Sequence, residues 1–96
     1  MRITTKIRNA VNREMCPLGR TYYDAIPLSV AFDILKRHGL VPVQEDGTEW
    51  QGLLCGEDSS TTFDLSYDGE PVVNAVLAFQ WHKMPSGKWE INCYLS

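Results

Sequence analysis

A chain of 96 residues with 44% hydrophobic and 22% charged residues has room for one hydrophobic core and is too apolar for intrinsic disorder. Its formal net charge of -3 and isoelectric point of about 5.2 argue against a general nucleic-acid reader, whose domains are usually basic. The three cysteines, Cys16, Cys55 and Cys93, form no CxxC pair and are odd in number, which excludes a complete disulfide framework and predicts free thiols in a reducing compartment.

Residues 5–15 place Ile7, Ala10, Val11 and Met15 on one stripe, with Arg8, Asn9, Asn12 and Arg13 opposite. This spacing predicts a short amphipathic helix that Thr4 or Thr5 can cap. Pro17 and Gly19 then break the periodicity, and a loop carrying Tyr22 and Tyr23 follows. A second helix starts at Pro27, a residue suited to a first turn. Its apolar face is Leu28, Ala31, Phe32 and Leu35, and Lys36, Arg37 and His38 crowd its last turn before Gly39. Cations there complement the negative end of the helix dipole, so they have a structural explanation.

After Gly39 the period changes to two, predicting strands near 40–44, 49–55, 61–67, 72–83 and 88–95, separated by the turn signals Asp46-Gly47, Asp68-Gly69 and Pro85-Ser86-Gly87. Pro42 is expected on an edge strand, because it cannot donate to a ladder on both sides. The final hairpin dominates the expected core. Val73, Ala75, Leu77, Phe79 and Trp81 share one face, and Trp89, Ile91, Cys93 and Leu95 share the facing one. The prediction is one α+β domain over residues 1–96, with two N-terminal helices on one face of an antiparallel sheet of about four to five strands that ends in the C-terminal hairpin. The start at Met1 and the end inside an apparent strand at Ser96 read as a complete small gene product. No apolar leader and no run of ~20 apolar residues occurs, so the expected location is the cytoplasm.

Chemistry-bearing motifs are sparse. A Cys/His nucleophile would have to come from Cys16, Cys55 or Cys93 with His38 or His82. Of these, His82 alternates away from the apolar face and Cys93 sits on it as a small hydrophobe. No zinc spacing, HExxH helix or phosphate-binding glycine loop is present. Paired carboxylates for acid/base work could come from Glu45, Asp46, Glu49, Glu57 and Asp58, but acids at turns ordinarily cap backbone amides and keep loops solvated without a catalytic role. The reading is therefore a protein that is not an enzyme, with no cofactor and no metal.

The informative feature is the distribution of charge. No lysine or arginine occurs between Arg37 and Lys83, while that stretch holds Glu45, Asp46, Glu49, Glu57, Asp58, Asp64, Asp68 and Glu70. Five of the nine basic residues (Arg2, Lys6, Arg8, Arg13 and Arg20) lie in the first twenty positions, where Glu14 is the only acid. Ordinary surfaces intersperse both signs, whereas segregated charge steers partners of opposite sign. A line of carboxylates can imitate a line of phosphates, with Tyr22, Tyr23 and Trp50 supplying aromatic anchors.

In size, acidity and charge layout the whole chain resembles the small acidic single-domain inhibitors that phages and mobile elements encode against host nucleic-acid enzymes, anti-CRISPR proteins among them. The resemblance implies a partner with a basic protein surface, a site made of the eight acids with Tyr22 and Tyr23, a location in the host cytoplasm, and no direct contact with nucleic acid or membrane. The alternative is an accessory or regulatory protein that binds nucleic acid through its basic N-terminal helix.

Overall fold

The structure, a computed structural model, describes residues 1–43 and 59–96. Helix α1 (Thr5–Met15) runs into a 3₁₀ turn (Cys16–Arg20), and helix α2 (Leu28–Arg37) follows. The described strands are β1 (Leu40–Pro42), β2 (Ser59–Phe63), β3 (Leu65–Tyr67), β4 (Glu70–Pro71), β5 (Leu77–Lys83) and β6 (Trp89–Leu95). The expected strand at 49–55, the Asp46-Gly47 turn, Trp50 and Cys55 lie outside the described residues. No helix among the described residues is long and apolar enough to cross a membrane.

Thr4 caps α1, its Oγ1 accepting from the Ile7 N–H at 3.2 Å, and the helix buries Val11 and Met15. Pro17 does not send the chain into an open loop, because a proline within the first positions of a 3₁₀ turn has no N–H to satisfy. Pro27 stands one residue ahead of α2, whose buried face is Leu28, Ala31, Ile34 and Leu35. Phe32 is half-buried, its ring edge-on to Phe63 with centroids 5.5 Å apart. Gly39 ends the helix at φ +80°, donating to the Lys36 carbonyl at 3.0 Å.

The α+β class holds, and the sheet is two sheets. A long antiparallel sheet has the order β2-β5-β6 and a short one the order β1-β3-β4. The expected strand at 61–67 divides at Asp64. Phe63 pairs with Leu77, where β5 begins, so beyond it the chain has no partner in the long sheet. It passes to β1, where Pro42 pairs with Leu65 and the Val43 N–H donates to the Asp64 carbonyl at 2.7 Å. Phe63 and Leu65 are both buried with Asp64 exposed between them, so the period of two continues through the change of sheet. Among the described strands Pro42 lies on an edge, in keeping with its missing donor.

The expected strand at 72–83 is also shorter, because residues 72–76 are held by other partners. The Val72 N–H donates to Leu65 O, the Val73 N–H to Met1 O, and the Asn74 amide bonds Ile3 at both backbone groups, at 2.9 and 3.0 Å. Val73 consequently stands 67% exposed and leaves the core face on which alternation had put it. The remainder of the hairpin is as the pattern demands: Ala75, Leu77, Phe79, Trp81, Ile91, Cys93 and Leu95 are buried. Trp89 is half-buried near the hairpin tip, with the Lys83 ammonium 5.8 Å from its ring centroid.

One contiguous buried cluster joins these residues to both helices, Leu40, Phe63 and Leu65. The outer edge of β6 is covered. Tyr23 exchanges two backbone hydrogen bonds with Trp89, at 2.9 and 2.7 Å. Asn12 on α1 exchanges two with the backbone of Leu95, at 3.2 and 2.7 Å. A side-chain amide carries a donor and an acceptor, so it substitutes for a neighbouring strand and blunts the edge against pairing with another chain.

Candidate partner-binding surface

Of the eight acids between Arg37 and Lys83, the described ones, Asp64, Asp68 and Glu70, lie in or beside the short sheet. β3 and β4 are joined by Asp68 and Gly69, at φ 50° and 79°, and Tyr67 pairs with Glu70 across them. Two positive φ values in a two-residue loop are the geometry of a type I′ hairpin, which twists with the strands and favours Asp-Gly. Asp68 and Glu70 are thus fixed on a tight turn, and both are exposed. Asp64 is exposed at the point where the chain changes sheets. None of these three carboxylates enters an ion pair among the described residues, where the recorded pairs are Glu14 with Arg37 and His38, and Lys88 with Asp24.

Apolar side chains lie among them. In the short sheet Val41 pairs with Ser66 and Ser66 with Pro71, one row across three strands on the side away from buried Leu40 and Leu65. Val41 is 48% and Val43 40% exposed. Val73 continues this surface, and the Met1 ammonium donates to the Pro71 carbonyl at 2.9 Å, putting one positive group at its rim. Exposed valines beside unpaired carboxylates differ from a plain solvated face, in which period two would leave only polar residues outward.

Of the other residues expected at the site, Tyr22 is 57% exposed, whereas Tyr23 is half-buried against the core and tied by its backbone to Trp89. Glu45, Asp46, Glu49, Glu57 and Asp58 lie outside the described residues. The valines were missed because β-branched residues on a strand read as core, and only the pairing register shows which side they occupy.

The basic end divides into separate roles. Arg8 is structural: its guanidinium donates to the Asn74 carbonyl at 2.6 Å and to the main-chain oxygen of Ser96. Glu14 takes Arg37 at 2.7 Å and the His38 ring, tying α1 to the end of α2. The His38 hydrogen bond, with the Arg37 charge, holds the Glu14 carboxyl below its ordinary range despite some desolvation. Arg2, Lys6, Arg13 and Arg20 are exposed.

The thiols are in unlike settings. Cys16 is exposed, while Cys93 is buried and its pKa is pushed up to about 11 by desolvation. Cys93 faces the core and His82 the opposite side of the same sheet, so a thiolate–imidazole pair cannot form between them. On that outer side Ser60, Gln80, His82, Glu90 and Asn92 line an open concavity of roughly 470 Å³. Among the described residues, no group of three or more His, Cys, Asp or Glu is arranged to hold a metal ion. Comparison with protein-family models, with curated proteins and with solved structures finds no match to this chain.

Proposed function

We propose that the protein is a small non-enzymatic binding protein that occupies a basic, nucleic-acid-binding surface of a partner protein, in the manner of phage or mobile-element inhibitors of anti-CRISPR type. The observation that carries this reading is the short sheet: Asp64, Asp68 and Glu70 stand exposed beside Val41, Val43 and Val73 without an ion-pair partner among the described residues. Carboxylates attract a basic groove from a distance, and apolar contacts hold the complex once formed. The five acids of residues 45–58 add to the same field in sequence, with no intervening cation.

The test begins with capture from the native cell and identification by mass spectrometry. The captured protein is then assayed with its own nucleic acid and increasing amounts of this chain. Displacement of the nucleic acid supports the reading, provided the Asp64→Lys/Asp68→Lys variant displaces it much less. A captured partner whose nucleic acid stays bound at saturation refutes it.

A further inference from the structure

We infer that the outward ridge of α1 is a second binding surface, which takes the phosphates of a nucleic acid. This goes beyond the proposed function, because it concerns a different element and a different class of partner. In α1 the core side is set by Val11 and Met15, and at about 100° per residue Lys6 and Arg13 project nearly opposite to them, 20° from one another. Exposed Asn9 lies beside them on the same ridge. Arg2 precedes the helix, and Arg20 follows it at the end of the 3₁₀ turn, two residues before exposed Tyr22.

Among the described residues the cations of this ridge are uncompensated. Glu14 is the only acid in the first twenty residues, and it is turned to Arg37 and His38 on α2. Arg2, Lys6, Arg13 and Arg20 make no ion pair among the described residues. Lys6 and Arg13 are seven positions apart, or about 10 Å along the axis, far enough to engage separate phosphates.

The ridge also lacks what a protein interface needs. Among the described residues the exposed large apolar side chains are Tyr22, Val41, Val43, Val73 and Tyr94, and none belongs to α1. Protein interfaces are anchored by buried apolar or aromatic side chains, whereas phosphate contacts need only cations and donors. Exposed Tyr22, two residues beyond Arg20, presents a ring on which an unpaired base can stack. The net charge of -3 opposes long-range attraction, most of all at low salt where screening is least, so binding is weak and rests on the charges in contact at the ridge.

The experiment is fluorescence anisotropy of labelled generic duplex and single-stranded DNA with the full chain, titrated at a series of salt concentrations. The expected result is weak, sequence-independent binding at low salt, with a log–log salt slope of about −3.6 for duplex, since Arg2, Lys6, Arg13 and Arg20 each neutralise one phosphate at about −0.9. Lys6→Gln/Arg13→Gln should make that slope shallower by about 2. Tyr22→Ala should weaken single-strand binding by about tenfold and leave duplex binding nearly unchanged. Asp64→Lys/Asp68→Lys should not weaken either titration, which separates this inference from the reading of the short sheet. Absence of binding at low salt, or an unchanged slope in the folded Lys6→Gln/Arg13→Gln variant, overturns the inference. Equal affinity for a polyglutamate peptide, or salt-sensitive self-association lost in that variant, also overturns it by giving the ridge to an acidic protein or a second copy.

Discussion

The two sheets are made from the same residue types and differ in how much they bury. In the long sheet β5 and β6 are seven residues each, pair in full register, and contribute Leu77, Phe79, Trp81, Ile91, Cys93 and Leu95 to the core. In the short sheet no strand exceeds three residues, and Val41 stays exposed on its outer side. Strand length explains the contrast. Seven residues of alternation bury a row of side chains large enough to hold a domain together, whereas three bury one or two and depend on turns and caps for their place. The long sheet therefore carries most of the buried core, and the short sheet is the one to which the proposal assigns recognition.

The largest effect expected from breaking this division is in the core. Phe79→Ala or Trp81→Ala should cost ~3–5 kcal/mol by chemical denaturation, since both side chains are buried to within a few per cent. Val41→Ser or Val73→Ser should change stability by less than ~0.5 kcal/mol. Trp89→Ala should fall between these, because the ring is only half-buried. Equal losses at Phe79 and Val41 would erase the distinction between the sheets.

Next come the two asparagines that stand in for missing strands. Asn12→Ala leaves the Leu95 backbone groups without partners, and Asn74→Ala does the same at Ile3, each at ~1–3 kcal/mol. Hydrogen exchange sharpens the comparison. Asn12→Ala should deprotect the Leu95 amide at the edge of the long sheet, and Asn74→Ala the Ile3 amide beside the short one.

Two glycines of the short sheet grade the same way. Gly39 and Gly69 both have positive φ, so alanine costs ~1 kcal/mol at either. At Gly39 the added Cβ would also meet Tyr67 Cε2 at 2.8 Å, while at Gly69 it meets nothing within 4 Å. Gly39→Ala should therefore be clearly the worse in thermal denaturation, and Tyr67→Ala should relieve the difference.

Much of the long sheet is legible in the sequence, because Leu77, Phe79, Trp81 and Ile91, Cys93, Leu95 alternate and a Pro-Ser-Gly turn joins them. The helices are legible for the same reason, from Val11 and Met15 and from Leu28, Ala31 and Leu35. The change of sheet at Asp64 is not, since Phe63, Asp64 and Leu65 alternate as an unbroken strand would and only the partner changes. Val73 was misplaced because its backbone pairs with Met1, a contact between residues too distant in sequence for periodicity to register. At the candidate site the charges could be read and the Asp68-Gly69 turn with them. The exposed valines could not, because a valine in a strand gives no sign of its side.

The smallest effect concerns pH. The Glu14 carboxyl is depressed below its ordinary 4.5, first by the His38 hydrogen bond and then by the Arg37 charge. A group whose folded pKa is depressed contributes its stability above the ordinary value and loses it as pH falls through the folded value. Between those points wild-type stability should fall more steeply than that of Glu14→Gln, as read from denaturation midpoints across the acid range. Parallel curves would remove Glu14 from the clasp between α1 and α2.

The central claim, that the short sheet is the contact surface, is tested most directly by stopped-flow association with the captured partner. The variants Asp64→Lys/Asp68→Lys and Lys6→Gln/Arg13→Gln are compared with wild type at low and physiological salt. Long-range attraction changes association rates by ~10-fold or more, so the acidic reversal should slow association strongly at low salt, and the wild type should lose more rate than this variant as salt rises. Unchanged association after the acidic reversal, with a large loss in the Lys6/Arg13 variant, would contradict the account and move the contact to α1.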